Sequence, residues 1–296
     1  MTLKIIVTVK QVPNTHNITS DAMKSDGTVN RSALSAIFNP EDLNALEEAL
    51  KIKESLLSSN VSGNSNSNRV HNGAHIIAIT MGPPKAIEVL QDCLYRGVDE
   101  VILLSDQKFA GADTLATSYA LAMAIKKIAP FDLIICGRQA IDGDTAQVGP
   151  QLAEKLNINQ ITNVCEINQV LSKEDKITVK RTTDYGIEIL RSNYPLLITV
   201  TSEANSPRPA SAKKVMSYKN LHITHNNTHN THTCLREWST KDIDANLNYC
   251  GVNGSPTKVK SIQNVILTSS NSKQIANTDN AINELIKELT SEHILS

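Results

Sequence analysis

Between Gly137 and Pro150 the chain reads Gly-Arg-Gln-Ala-Ile-Asp-Gly-Asp-Thr-Ala-Gln-Val-Gly-Pro. Small and hydrogen-bonding residues follow a short apolar run, 132–136, and precede Gln151–Leu156, which has helical character. Glycines such as Gly137 and Gly143 let a backbone approach a ligand closely. Asp144 and Gln147 have the spacing of a capping box, which predicts a helix starting at Asp144; Pro150 would then fall in its second turn, where proline is costly, so the alternative is a helix that begins near Gly149-Pro150, with 143–147 as a loop around the ligand. A helix amino end there would aim free N–H groups and a partial positive charge at an anion. The stretch is therefore a candidate phosphate cradle, with an ordinary strand-to-helix turn as the plain alternative. Asp142 and Asp144 could act as an acid/base pair. In a turn rich in N–H donors they fit better as helix caps or partners of a ribose hydroxyl. A carboxylate facing a phosphate would be repelled. Arg138 is the natural cation for such an anion, although Arg is common on surfaces. Cys136 reads as a small apolar core residue.

Other chemistries are weakly represented. There is no G-x-S-x-G elbow, no H-E-x-x-H, no Walker lysine motif and no G-x-G-x-x-G. His222, His225, His229, His232 and Cys234 are residue types that suit zinc. They stand in an Asn/Thr-rich run that reads as a composition-driven linker, so no metal site is assigned. No catalytic acid, base or nucleophile is assigned either.

The elements that must position the cradle come in order. Lys4–Val9, His75–Met81 and Glu100–Leu104 read as buried strands, as does 132–136. Each leads through a loop towards a helix. Asn39-Pro40-Glu41-Asp42 is a sharp helix start, with Asn39 as cap, Pro40 at the first helical position and two carboxylates in the positive first turn. Leu43, Leu46 and Leu50 continue that helix. Ile87, Leu90 and Leu94 mark a second, which Gly97 stops as a left-handed residue. Asp113 caps a third, from Thr114 to about Ile128, with Leu115, Tyr119, Ala122 and Ile125 predicted as its buried face. Strand–loop–helix repeats mean a parallel sheet covered on both faces, with ligands at the carboxyl ends of its strands. The loops 10–12, 81–84, 105–113 and 137–145 gather there.

After Asn157 the spacing shortens. Runs at 163–170, 176–182, 187–190 and 196–200 read as strands, partly antiparallel. Beyond Thr201 the apolar pattern fades, and 281–289 forms a last helix. The expected architecture is α/β: a Rossmann-like, mostly parallel sheet with helices on both faces, antiparallel additions and an extended C-terminal arm. Residues 1–200 would form the nucleotide-binding domain, with 57–73 as a flexible insertion. Residues 201–296 would be an arm packing on a partner subunit.

Net charge is −1 and aromatics are only 3%, so neither a global field nor stacking surface favours nucleic acid. No apolar run is long enough to span a membrane. The five cysteines are dispersed without a C-x-x-C pair, and the first strand starts at once with no room for a signal peptide. A cytoplasmic setting is expected.

In these residues the chain resembles the β subunit of electron transfer flavoproteins. The resemblance is carried by Val9–Pro13, Asn39–Asp42, Met81–Pro84, Phe109–Ser118 and the cradle itself, then by Asn205–Arg208 and Gly254–Thr257. It covers residue 3 to about residue 260, outside the Ser/Asn-rich stretch. The resemblance implies a heterodimer with an α subunit that carries the electron-transferring FAD. It implies a second adenine nucleotide here: AMP in the common branch, or FAD in the electron-bifurcating branch. That FAD would take hydride from NADH and pass electrons to ferredoxin or flavodoxin and to the α-subunit flavin. Phe109–Ser118 and Gly143-Asp144-Thr145 are closer to the bifurcating branch. Implied partners also include a flavin dehydrogenase of the acyl-CoA dehydrogenase type or a quinone oxidoreductase.

Carried over position by position, the nucleotide would contact Thr8, Asn39, Pro40, Glu41, Asp42, Met81 and Gly82. It would also contact Gly137, Arg138, Gln139, Ala140, Ile141, Asp142, Gly143, Asp144, Thr145, Ala146, Gln147 and Val148. Asp106, Phe109, Gly111, Asp113 and Thr114 would line the extra flavin. Gln107 departs from the family pattern, which usually has Arg there. A nucleotide-binding sensor outside this family is the remaining reading, since α/β folds serve many functions.

Overall fold

The structure is a computed structural model that describes residues 2–14, 36–61, 73–171, 176–219, 234–257 and 274–291. The described residues up to Thr257 form one compact unit, and 274–291 belong to a second.

The first unit is built on a nine-stranded sheet. Its strands are β1 (Leu3–Thr8), β4 (Ala74–Met81), β5 (Glu100–Leu104), β6 (Leu133–Gly137), β7 (Asn159–Leu171), β8 (Lys176–Thr183), β9 (Gly186–Asn193), β10 (Leu196–Val200) and β11 (Leu235–Trp238). Two further strands, β2 (Gln11–Pro13) and β3 (Ala36–Phe38), pair antiparallel beside it. The sheet order is β11-β5-β4-β1-β6-β10-β7-β8-β9. From β11 to β7 every pairing is parallel, and β8 and β9 add antiparallel. Chain order runs outward from β1 to β5 on one side, then returns to β6 on the other. Crevices at such a reversal are where open α/β sheets bind ligands.

Helices α1 (Pro40–Val61) and α2 (Ile87–Arg96) cover one face, and α3 (Thr114–Ile128) and α4 (Val148–Leu156) cover the other. On the first face Ile5 and Val7 of β1 pack with Leu46, Leu50, Leu90 and Leu94. On the second, Ile6 of β1, Ile79 and Ile102 pack with Leu121, Ile125 and Leu152. Alternate residues of β1 thus feed two cores, which is why the central strands are apolar without interruption.

Several expectations hold and several need correcting. Gly97 ends α2 at φ 125, and its N–H reaches the carbonyls of Cys93 and Leu94. Asp113 caps α3 through Leu115 N–H and Ala116 N–H at 2.9 and 3.0 Å. Leu115 itself is exposed, however. The buried face of α3 runs through Ala116, Ala120, Leu121, Ala124 and Ile125. Of the expected face, Ala122 and Ile125 are buried and Tyr119 is half-buried, so the prediction fails only at Leu115. The α1 helix continues to Val61, past the start expected for an insertion at residue 57. Residues 62–72 and the His-rich tract 222–233 lie outside the described residues. Among those described, no group of three His, Cys, Asp or Glu side chains is placed to hold a metal ion. None of the described helices is long and apolar enough to cross a membrane.

Two elements were not expected. β11 adds parallel to β5 at the sheet edge, and α5 (Ala212–Tyr218) packs near α2. Between them and β10, the irregular stretch after Thr201 is stitched to α1. Asn205 Nδ2 donates to the Asn44 carbonyl and to Glu48, both at 2.9 Å. Asn44 Nδ2 returns a bond to the Asn205 carbonyl at 2.8 Å. Arg208 binds the buried Glu47 through Nε and Nη2, at 2.9 Å each, and reaches Glu54 as well. These two carboxylates hold the Arg208 guanidinium firmly in its charged form. Removing the guanidinium would leave Glu47 buried without its counter-charge. Arg208→Met is therefore expected to lower stability by about 1–3 kcal/mol in urea unfolding. An unchanged midpoint would show that the bridge contributes nothing net.

Candidate functional site

The cradle follows β6 at the middle of the sheet, and its walls come from the amino end of α1. Asp42 accepts Lys10 N–H at 2.8 Å and Gly137 N–H at 3.2 Å, so one buried carboxylate ties together the ends of β1 and β6. At Gly137 a Cβ would come within 2.7 Å of the Glu41 backbone. Only glycine allows this approach. Glu41 accepts Gln139 N–H at 2.8 Å and pairs with Arg138 at 3.0 Å. Asn39 was expected to cap α1. Instead its carbonyl accepts the N–H groups of Asp42 and Leu43, while its side chain crosses to the cradle. There it donates to the Gln139 carbonyl at 2.8 Å and accepts Ile141 N–H at 3.1 Å. The motif 39–42 is thus the brace of the first half of the cradle. Arg138, expected as the cation for a phosphate, has its charge committed to Glu41.

The second half, 142–147, is exposed to solvent. Lys10 Nζ holds Asp142 at 2.7 and 2.9 Å, which neutralises a carboxylate that would otherwise repel an anion. Gln139 Nε2 donates to Asp144 at 3.0 Å. The predicted capping box at Asp144 and Gln147 does not form. Asp144 and Ala146 adopt left-handed φ of 47° and 52°, so no helix can run through them. α4 begins at Val148, which places Pro150 in its first turn, where proline is tolerated. Gln147 flanks the helix without a side-chain cap. Its amide oxygen instead accepts the Thr114 hydroxyl at 2.9 Å. The amino end of α4 thus keeps its own N–H groups for an anion. Within the loop, the N–H groups of Gly143 and Asp144 are taken by the Ala140 carbonyl, at 3.2 and 3.0 Å.

The amino end of α3 lies alongside but is closed. Asp113 caps it and also accepts Thr257 N–H at 3.0 Å. Burial alone would raise the Asp113 carboxyl, but the N–H groups of Ala116, Thr257 and Leu115 hold it below the usual range. A permanent carboxylate there disfavours a phosphate. Of the two neighbouring helix starts, only that of α4 lacks a side-chain cap.

The remaining predicted residues surround these ends. Thr8 closes β1 and Met81 closes β4. Gly82 N–H bonds the Leu104 carbonyl at 3.0 Å, and a Cβ on Gly82 would come 2.9 Å from Ala86. In the loop after β5, Phe109 is buried in the core, whereas Ala110 and Gly111 are exposed, the latter at φ 71. Asp106 accepts Lys108 N–H and both the N–H and hydroxyl of Thr240. Sequence reasoning missed Thr240, Ser255 and Thr257 as partners of this loop, and Lys10 as the partner of Asp142. No local pattern links residues so far apart in the chain.

A Gly-containing turn at the switch point of a doubly covered, mostly parallel sheet defines a Rossmann-like α/β subunit, the class in which such crevices bind ligands. The comparisons make this specific. Residues 26–222 match the electron transfer flavoprotein domain. The chain is 37% identical over 286 residues to the electron transfer flavoprotein subunit beta of Clostridium acetobutylicum, covering 97% of this chain and 94% of that protein. It is 40% identical over 257 residues to the caffeyl-CoA reductase-Etf complex subunit CarD of Acetobacterium woodii, covering 87% and 86%. It is 33% identical over 294 residues to protein FixA of Sinorhizobium fredii, covering 98% and 93%. The chain belongs to the electron transfer flavoprotein family, as a subunit of the β type.

The buried clamp has a pH signature. Burial pushes the Asp42 carboxyl up to about 7, against the bonds from Asn39, Lys10 and Gly137 that favour its charged form. The folded chain then binds this proton more tightly than the unfolded chain does. Stability from this group is full below about pH 4 and is lost as pH rises through 7, at up to about 1.4 kcal/mol per pH unit. Asp42→Asn should flatten the stability profile between about pH 4.5 and 7 in urea unfolding. Equal slopes in both proteins would mean that Asp42 stays ionised throughout.

Proposed function

We propose that this chain is the β subunit of a bifurcating electron transfer flavoprotein and holds an FAD of its own, with the pyrophosphate at the amino end of α4. The observation that carries the nucleotide is the uncapped start of α4 behind a cradle in which Glu41 and Asp142 are paired with Arg138 and Lys10. Gly143 leaves the space above the turn open, since a Cβ there would meet nothing within 4 Å. The residues present therefore fit an adenine nucleotide phosphate. An FAD needs more room than AMP, and the loop 110–114, exposed at Ala110 and Gly111, adjoins the cradle through the Thr114–Gln147 bond. That adjoining surface favours the dinucleotide. So do relatives named as subunits of caffeyl-CoA reductase and acryloyl-CoA reductase electron transfer complexes.

When bound, the flavin supplies the redox chemistry: it accepts hydride from NADH and delivers electrons to ferredoxin or flavodoxin and to the FAD of the α subunit. This chain's residues bind and orient. Lys10 offsets Asp142, Asp42 and Asn39 fix the turn, and Asp113 keeps the phosphates away from α3. No residue is assigned a proton-transfer role. The C-terminal arm, residues 201–296, would pack on the α subunit, and a flavin dehydrogenase of the acyl-CoA dehydrogenase type would be a further partner. The alternative is a β subunit that holds AMP as a structural ligand.

Flavin and nucleotide content of the co-purified heterodimer tests this. Two FAD per heterodimer are expected, and one FAD with one AMP would select the alternative. Thr145 is exposed in the cradle, so Thr145→Glu should leave stability within about 0.5 kcal/mol. The added charge should weaken nucleotide binding about tenfold or more. Unchanged affinity would place the phosphates elsewhere.

A further inference from the structure

The chain from Thr240 to Thr257 lies across the loop 106–114, and it is joined there at five points. Thr240 gives its N–H and hydroxyl to Asp106 Oδ2, at 3.1 and 2.6 Å. Ser255 is buried, and its hydroxyl accepts Asp113 N–H at 2.8 Å while donating to the Gly251 carbonyl at 2.7 Å. Thr257 N–H binds the other oxygen of Asp113 at 3.0 Å. Gly251, at φ 53, passes so close to the Lys108 and Ala110 carbonyls that no side chain would fit. Val252 lies over Gly111, where a Cβ would come within 2.6 Å of it. Beside these, the Tyr249 ring packs on Tyr119 of α3 at 5.3 Å. The loop's own structure is slight: one short turn capped by Asp106, and Phe109 anchored in the core.

We infer that Thr240–Thr257 is a strap that positions the loop 106–114 beside the nucleotide cradle, and that Ser255 is its positioning residue. One hydroxyl there serves both sides, receiving from the loop and giving to the strap. Without it a half-buried N–H and a buried carbonyl lose this partner together. The strap acts on the part of the site beyond the phosphates. In the proposed site the phosphates lie at α4, which this loop reaches through the Thr114–Gln147 bond, one residue on from the Asp113 that Ser255 holds. The strap therefore bears first on the flavin portion of a dinucleotide, which the loop would line directly, and less on a mononucleotide. This last step rests on the proposed FAD site, whereas the hold of the strap on the loop does not.

The test uses the purified heterodimer with its cofactors, Ser255→Ala and, as a milder change at an exposed position, Val252→Ala. Amide hydrogen exchange should rise at least tenfold over 107–114 in Ser255→Ala and about threefold in Val252→Ala, with β1 and β6 unchanged. After nucleotide removal and reloading, FAD affinity of the β subunit should fall at least tenfold in Ser255→Ala while AMP affinity changes less than threefold. Unchanged exchange of the loop in both variants overturns the strap. An equal loss of FAD and AMP affinity overturns its selective role and leaves Ser255 a general stabiliser. If the unaltered heterodimer takes AMP and refuses FAD, the proposed function fails, and the exchange measurement alone then decides the strap. Should Ser255→Ala not fold, Val252→Ala carries both measurements.

Discussion

The whole arrangement depends on one buried carboxylate. β1 and β6 are adjacent parallel strands, and parallel strands diverge into separate loops once their ladder ends. Asp42 stands at that divergence and accepts an N–H from each loop. It is placed there because α1 begins with Pro40, at the point where the chain returns from β3. Burying an acid costs free energy, visible in its raised pKa, and two backbone bonds offset part of that cost. The turn is thus held by a group whose burial costs free energy. Such local conflict between stability and geometry is common where function constrains a structure.

Charge is sorted around the clamp with some economy. Every acidic side chain near the cradle has a named partner: Glu41 with Arg138, Asp142 with Lys10, Asp144 with Gln139. Two helix amino ends meet at Thr114 and Gln147, and they are treated oppositely. α3 is closed by the Asp113 carboxylate, while α4 is left without a side-chain cap. The two ends therefore differ in which N–H groups remain without a side-chain partner.

The carboxyl-terminal part of the unit changes character in this light. By apolar pattern it looks like an arm with little core of its own. Yet β11 completes the sheet edge, and Asn205 and Arg208 lock onto α1. Thr240 and Ser255 reach the loop after β5. These contacts are polar and single-residue, and they carry no periodic signal for a sequence to display.

Much of this was legible in the sequence. Unbroken apolar runs separated by helix-length segments gave the parallel sheet, because strands buried on both faces have no polar side to show. Asp113 and Gly97 declared their helix ends, since capping is chemistry between near neighbours. The glycines and small residues of 137–150 marked the turn that a ligand could approach. What the sequence could not decide was anything requiring distant chain to meet. It offered Asp144 as a cap, and the backbone there turned left-handed instead. It offered Asn39 as a side-chain cap, and that amide turned to the cradle instead; Arg138 has an ion pair with Glu41 that the sequence did not announce. It left no sign that β10 would slide between β6 and β7, or that residues near 250 would hold those near 110. Local pattern fixes which segments fold and where they end. Only the packed tertiary structure decides which of several polar side chains finds its partner first, because those choices are made between groups separated by a hundred residues of chain.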